Sequence, residues 1–584
     1  MRGQTWGVLL LVLWGCRATV PTHGGTTARG PVPLDPPAAA GAMAPNLARL
    51  GEDSVLLTWY EPQEGADAAE AWRLRSSRLE AGAWSEPATL AEGKGLVANW
   101  ADVPSVARGG DGTLIAHWAE RSSSESPYAY DVILGRSTDG GKRWERLGSA
   151  HSDGTATEHG FVSLVADGAD VRAFWLDGRE TASGAGHAGH HGGGGAMTLR
   201  TATVGALAAG ELLDARVCDC CGTSTAMTSE GPVLVYRDRS EDEVRDISLV
   251  RRTAEGWSQP VSVHADGWRV PGCPVNGPAV AARGRRVAVA WYTYAGEKPS
   301  VRLAFSEDAG ASFQPPLEVD GPRGGRVPLC RVDVVLGEEG EALVSWLAAE
   351  RDQATLLVRR VTAEGRLGAP VPLVETSAER QSGFPRMEHL GDSLLFAWTE
   401  TGRPTHVRVA RLSLAEVPTA PARAEPETRA STAALAPLAA GQPAPEYTAR
   451  TLEGQPASLV AERGQVVLVN LWATWCEPCR FELPELATLH ERYAARGLRV
   501  VGVSVDARRT ASEVRDFVTR RQLPYTFWHD PEDRISGAFG VTTLPASFLI
   551  DREGTIVWSH VGAVRADDPE LLKTLEAVLQ TPSR

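Results

Sequence analysis

Val466-Val467-Leu468-Val469-Asn470-Leu471-Trp472-Ala473-Thr474-Trp475-Cys476-Glu477-Pro478-Cys479-Arg480 passes from an apolar, β-branched run into two cysteines two residues apart. The run predicts a buried strand, and Phe481, Leu483, Leu486, Leu489 and Tyr493 continue it with a helical pattern. Cysteines at a helix start have redox chemistry within reach. Unpaired backbone N–H groups and the helix dipole favour a thiolate there, and a second thiol three positions on can close a disulfide and release a mixed-disulfide partner. The competing reading is half of a zinc site, which needs a second ligand pair. No cysteine other than Cys476 and Cys479 follows Cys330, so the C-terminal region supplies no such pair of thiolates.

Three stretches together carry a resemblance: Gly441-Gln442-Pro443-Ala444-Pro445, the Trp472–Cys479 motif, and Thr543-Leu544-Pro545-Ala546-Ser547-Phe548-Leu549-Ile550-Asp551. They resemble the TlpA/ResA-like family of extracytoplasmic, membrane-anchored thioredoxin relatives, over about residues 441–580. The resemblance implies a cis peptide before Pro545, facing the CxxC, and an acid for proton handling at Glu482. Asn470 stands where ordinary thioredoxins carry a buried aspartate. Trp475 and Leu544 would border the substrate groove. Further strands are predicted over Leu498–Val505, Ala546–Ile550 and Thr555–Ser559, with helices over Ser512–Gln522 and Pro569–Leu579. That order fits an α/β thioredoxin-like domain, 441–584.

The remainder is larger. The chain has 584 residues, room for several domains, and its net charge of −14 argues against a nucleic-acid partner. Arg2, the apolar Val8–Trp14 and Leu13-Trp14-Gly15-Cys16 predict an export signal over 1–16. It resembles a lipoprotein signal, which implies lipidation at Cys16, a membrane lipid anchor and a periplasmic or cell-surface location. Residues 17–42 read as a flexible tether and 416–440 as an Ala/Pro-rich spacer. Between them, 43–415 repeats a strand ending in an aromatic at Trp59, Trp118, Trp175, Tyr236, Trp291, Trp346 and Trp398, spaced 52 to 61 residues apart. Such a period predicts an all-β propeller of seven blades, or six if a terminal unit is incomplete.

Ser137-Thr138-Asp139-Gly140-Gly141-Lys142-Arg143-Trp144 and Ser306-Glu307-Asp308-Ala309-Gly310-Ala311-Ser312-Phe313 resemble the Asp-box of sialidase-like propellers. That motif ties a turn and does not make an enzyme. Tyr236-Arg237-Asp238-Arg239 and Trp175-Leu176-Asp177-Gly178-Arg179 offer residue types a glycosidase uses, but the early Arg-Ile-Pro motif is absent.

Five cysteines fall in the propeller: Cys218, Cys220, Cys221, Cys273 and Cys330. One reading is structural disulfides, for instance from the cluster to Cys273 or Cys330. The other is a copper or zinc site, since thiolates suit soft metals. His187, His190 and His191 sit in a glycine-rich loop that suits copper, nickel or zinc. The leading expectation is a thiol–disulfide oxidoreductase using Cys476 and Cys479, with no cofactor required and a propeller as binding or substrate module. Its partners would be protein thiols or disulfides; the family resemblance implies those of cytochrome c maturation or copper-site assembly. A glycan- or protein-binding lipoprotein and a peroxiredoxin-like peroxidase are the alternatives.

Overall fold

The computed structural model describes residues 30–63, 71–123, 129–184, 195–207, 210–321, 326–350, 353–419, 437–507 and 510–580. Cys16, His187, His190 and His191 lie outside them, as does most of the expected spacer. No helix among the described residues is long and apolar enough to cross a membrane.

Seven antiparallel sheets of four or five strands follow one another, each built from consecutive strands save for one strand of the last: 43–93, 106–149, 159–214, 224–264, 279–318, 327–377 and 386–413. This is a seven-bladed propeller. Each of the seven repeated aromatics lies in the second strand of its blade and is nearly or wholly buried. An indole that deep needs a partner for its N–H. Trp59, Trp118 and Trp175 solve this locally, donating to the acid two residues on, Glu61, Glu120 and Asp177, at 2.9, 2.7 and 2.7 Å.

The seventh sheet is completed by Val32–Pro33, which pairs with Arg411 and Ala410 of the His406–Ser413 strand. The expected flexible tether, 17–42, is therefore folded where it is described. Its pairing groups satisfy the open edge of the last sheet. Both aspartate turns form as their residues suggest. Asp139 Oδ1 accepts from Ser137 Oγ and the Lys142 and Arg143 N–H groups, and Asp308 Oδ1 accepts from Ser306 Oγ and the Ser312 N–H.

The C-terminal domain holds a seven-stranded mixed sheet. Its order is Pro456–Ser458, Thr448–Thr451, Thr526–His529, Leu498–Ser504, Val466–Trp472, Ala546–Ile550, Ile556–Val561. Val466–Trp472 is central, parallel to Leu498–Ser504 and antiparallel to Ala546–Ile550. Covered on both faces, it can be apolar at almost every position, and every residue in it is buried. Helix α1, Glu477–Tyr493, buries Cys479, Glu482, Leu483, Leu486, Leu489 and Tyr493. Phe481 does not belong to that stripe: it is 60% exposed. A step of two residues, from 481 to 483, turns a helix by about 200°, so both cannot face the core.

Candidate active site

Cys476 caps the N-terminus of α1 and is bonded to Cys479, with the Cys479 N–H directed at the Cys476 sulfur at 3.3 Å. A helix N-terminus is where a developing thiolate gains most from the backbone. The loop before it is held by Asp506, whose carboxylate accepts from the Thr474 N–H at 2.9 Å, from Ser504 Oγ at 2.8 Å, and from the Thr474 hydroxyl. Sequence reasoning missed Asp506. It lies 30 residues downstream of Cys476, and only the pairing of parallel strands brings it back.

Glu482 lies one turn beyond Cys479 on the same helix face and is 1% exposed, so it is no surface residue. Its carboxyl accepts from Asn470 Nδ2 at 2.9 Å, from the Val564 N–H at 3.0 Å and from Ser547 Oγ at 3.3 Å. Burial outweighs these donors and pushes its pKa up to about 8. Between 4.5 and about 8 the unfolded chain gives up this proton while the folded chain keeps it, so the group's contribution to stability falls as pH rises through that window. Glu482→Gln removes that loss. Thermal melts are expected to show the variant gaining on the parent between about pH 5 and about pH 9, by on the order of a few kcal/mol. Thiol titration of Cys476 should be the same in both below about pH 8 and separate above it, where only the parent acquires a negative charge. A parallel pair of melting profiles would show that the carboxyl is already ionised in the fold.

The Leu544–Pro545 peptide is cis, as the resemblance implied, and Leu544 is fully buried. Trp475 packs, half-buried, against the same core.

The AhpC/TSA family matches residues 440–559. Thiol-disulfide oxidoreductase ResA of Bacillus thuringiensis (strain Al Hakam) is 35% identical over 122 residues, 21% of this chain and 69% of that protein. Thioredoxin-like protein YneN of Bacillus subtilis (strain 168) is 35% identical over 131 residues, 22% of this chain and 76% of that protein. The chain belongs to the ResA-like thiol-disulfide oxidoreductases. Among solved structures, the thioredoxin domain of a thiol-disulfide oxidoreductase from Bacteroides vulgatus is 28% identical, covering 24% of this chain and 99% of that one, with a TM-score of 0.22.

This ResA-like domain does not stand clear of the propeller. Its CxxC lies in one buried cluster with Cys218, Cys220, Cys221 and Cys273, and Cys476 and Cys479 are both 0% exposed. Cys273 and Leu544 form an antiparallel bridge, with the Cys273 N–H donating to the Leu544 carbonyl at 2.7 Å. Around it, Arg380 of the propeller pairs with Asp533 at 2.6 Å and donates to the Thr542 carbonyl at 3.2 Å. Arg121 pairs with Glu513 at 2.8 Å, and Arg403 with Glu532.

None of the five propeller cysteines is bonded, so the expected bridges from the cluster to Cys273 or Cys330 are not formed in this state. The Cys218 sulfur lies 3.0 Å from that of Cys221 and 3.9 Å from that of Cys220. Arg245 Nη1 reaches Cys218 at 3.2 Å. Burial opposes a thiolate at Cys218, but hydrogen bonds from its two neighbours and the Arg245 charge hold its pKa well below the usual range. Burial pushes Cys220 and Cys221 up. The sulfurs of Cys218, Cys220 and Cys221 are close enough to share one metal ion. Cys330 packs in a different cluster.

The residue types that suggested a glycosidase are otherwise committed. Tyr236 is buried with its hydroxyl on Asp214 at 2.5 Å, and Arg237 spends its guanidinium on the carbonyls of Asn276, Arg245 and Tyr292. Asp177 takes Arg179 at 2.7 Å through both oxygens. Beside it, His151 and His159 stack at 3.7 Å among Asp131, Asp153 and Asp177. Of that group the sequence singled out Asp177 alone, because its members come from separate strands and loops.

Proposed function

We propose that the protein is an exported, lipid-anchored thiol–disulfide oxidoreductase that reduces disulfides of partner proteins. Cys476 is the attacking thiolate, Cys479 the resolving thiol, and Glu482 exchanges protons with the pair. The reading rests on one observation above all: Cys476 at the cap of α1, with Cys479 bonded to it and a buried, protonatable Glu482 one turn further. Dithiol exchange carries two electrons without a cofactor. Copper or zinc at Cys218, Cys220 and Cys221 would be cargo or a structural ion, with cytochrome c maturation and copper-site assembly as the processes the family resemblance suggests. The sialidase-like propeller serves as the module that receives or presents the substrate.

Insulin reduction and peroxide consumption by the full chain separate the two redox readings. Turnover of insulin with no peroxide turnover is expected; the opposite result would make the protein a peroxidase. In cells, Cys479→Ser should accumulate mixed disulfides on Cys476, because the resolving thiol is gone.

A further inference from the structure

We propose that Cys273 of the propeller is the built-in exchange partner of Cys476, so that two electrons pass between the propeller thiol cluster and the Cys476–Cys479 pair within one chain. The inference rests on the reading of Cys476 and Cys479 as an exchanging pair and adds the identity of a substrate.

The contact has the form of strand addition, in which main-chain bonds hold a peptide against an exposed edge. Cys273 and Leu544 exchange both bonds, 2.7 Å in one direction and 3.4 Å in the other. The approach needs Gly272: a Cβ there would lie 2.7 Å from the Leu544 carbonyl oxygen and 3.0 Å from Thr543 Cγ2. On the other side a Cβ on Gly562 would lie 2.8 Å from Pro271 Cγ, and the Ala563 N–H points to the Pro271 carbonyl at 3.4 Å. Pro271, Gly272 and Cys273 therefore pack directly on Leu544 and Gly562, where the family resemblance places the substrate groove. Cys476 is fully buried beneath them, so a protein from outside reaches it only when this segment lifts away.

Behind Cys273 stand the other thiols. Cys273 is close enough to Cys220 to perturb its proton, and the Cys218 sulfur lies 3.9 Å from that of Cys220 and 3.0 Å from that of Cys221. The exchange is balanced. The Cys273 thiolate attacks the Cys476 sulfur, the Cys476–Cys479 bond breaks, and Cys479 leaves as a thiolate that takes up a proton. Cys220 then attacks the Cys273 sulfur, closing Cys220–Cys273 and releasing Cys476 as a thiol. Two propeller thiols are oxidised, the CxxC disulfide is reduced, and the two thiol protons end on Cys479 and Cys476. Run backwards, the same steps let a reduced CxxC reopen an oxidised propeller pair.

The test uses the full chain carrying Cys479→Ser, reduced, then reoxidised with limiting diamide and mapped by mass spectrometry without reductant. A Cys476–Cys273 peptide is expected as the main product at Cys476. Adding Gly272→Ala removes no thiol and should lower its yield about ten-fold or more, since the groove can no longer close on the segment. A second measurement uses the parent CxxC with Cys273→Ser: the redox state of Cys476 and Cys479 should stop following that of Cys218, Cys220 and Cys221. Capture of Cys476 by any other propeller cysteine, or undiminished exchange in Cys273→Ser, overturns the proposal. Insulin reduction that still requires Cys476 in that event would leave the oxidoreductase reading standing.

Discussion

Cys476→Ala should reduce the rate of insulin reduction by the full chain roughly a thousand-fold or more, to the background of free reductant. The magnitude follows from the chemistry. Only a thiolate attacks a disulfide, and the other cysteines are poor substitutes for this one. Cys479 is buried behind Cys476 on α1, and the propeller thiols are buried in the interface or, for Cys330, in a separate core. Cys479→Ala should behave differently, giving one round of attack followed by a stalled mixed disulfide. Equal, partial losses in the two variants would mean that neither sulfur has the assigned role.

The second large effect is expected at Arg380, which takes no part in the chemistry. Its guanidinium is 9% exposed and pairs with Asp533, which is 3% exposed, across the contact between propeller and redox domain. Removing one partner of a buried pair costs about 3–5 kcal/mol, because the other charge is left without compensation. Burial raises the Asp533 pKa to about 6, so part of that cost is relieved by protonation. Arg380→Ala should still shift the molecule toward an undocked form. Alkylation of Cys476 in the reduced protein, and insulin turnover with it, should rise about ten-fold or more near neutral pH, with a smaller rise near pH 5. Unchanged alkylation would show that Cys476 is reached without undocking.

Much of this was legible from the chain alone, for a physical reason. The CxxC, Pro545 and α1 are local, and a seven-fold recurrence of buried aromatics repeats one packing solution. The former are read within a short window, and the latter by comparing one stretch of chain with the next. What was not legible depends on distant segments meeting. Thr448–Thr451 and Thr526–His529 are short strands that pair only with each other and with neighbours already in place. The propeller cysteines read as a disulfide set or a soft-metal site because nothing in their spacing reveals that Cys273 pairs with Leu544. Trp175-Leu176-Asp177-Gly178-Arg179 suggested chemistry by residue type, whereas Asp177 and Arg179 satisfy each other.

The pairing of Val32–Pro33 with the His406–Ser413 strand also sets an order of assembly. Six blades join strands that are neighbours in sequence and can form from local contacts alone. The seventh must wait for its outer strand, already made, to meet partners synthesised about 380 residues later, a contact whose loop-closure entropy is large. Until then the nascent ring is an open arc with an unpaired edge. The redox domain seats on propeller residues as far apart in the chain as Arg121 and Arg403, so its docking calls for an early and a late blade to stand in place together.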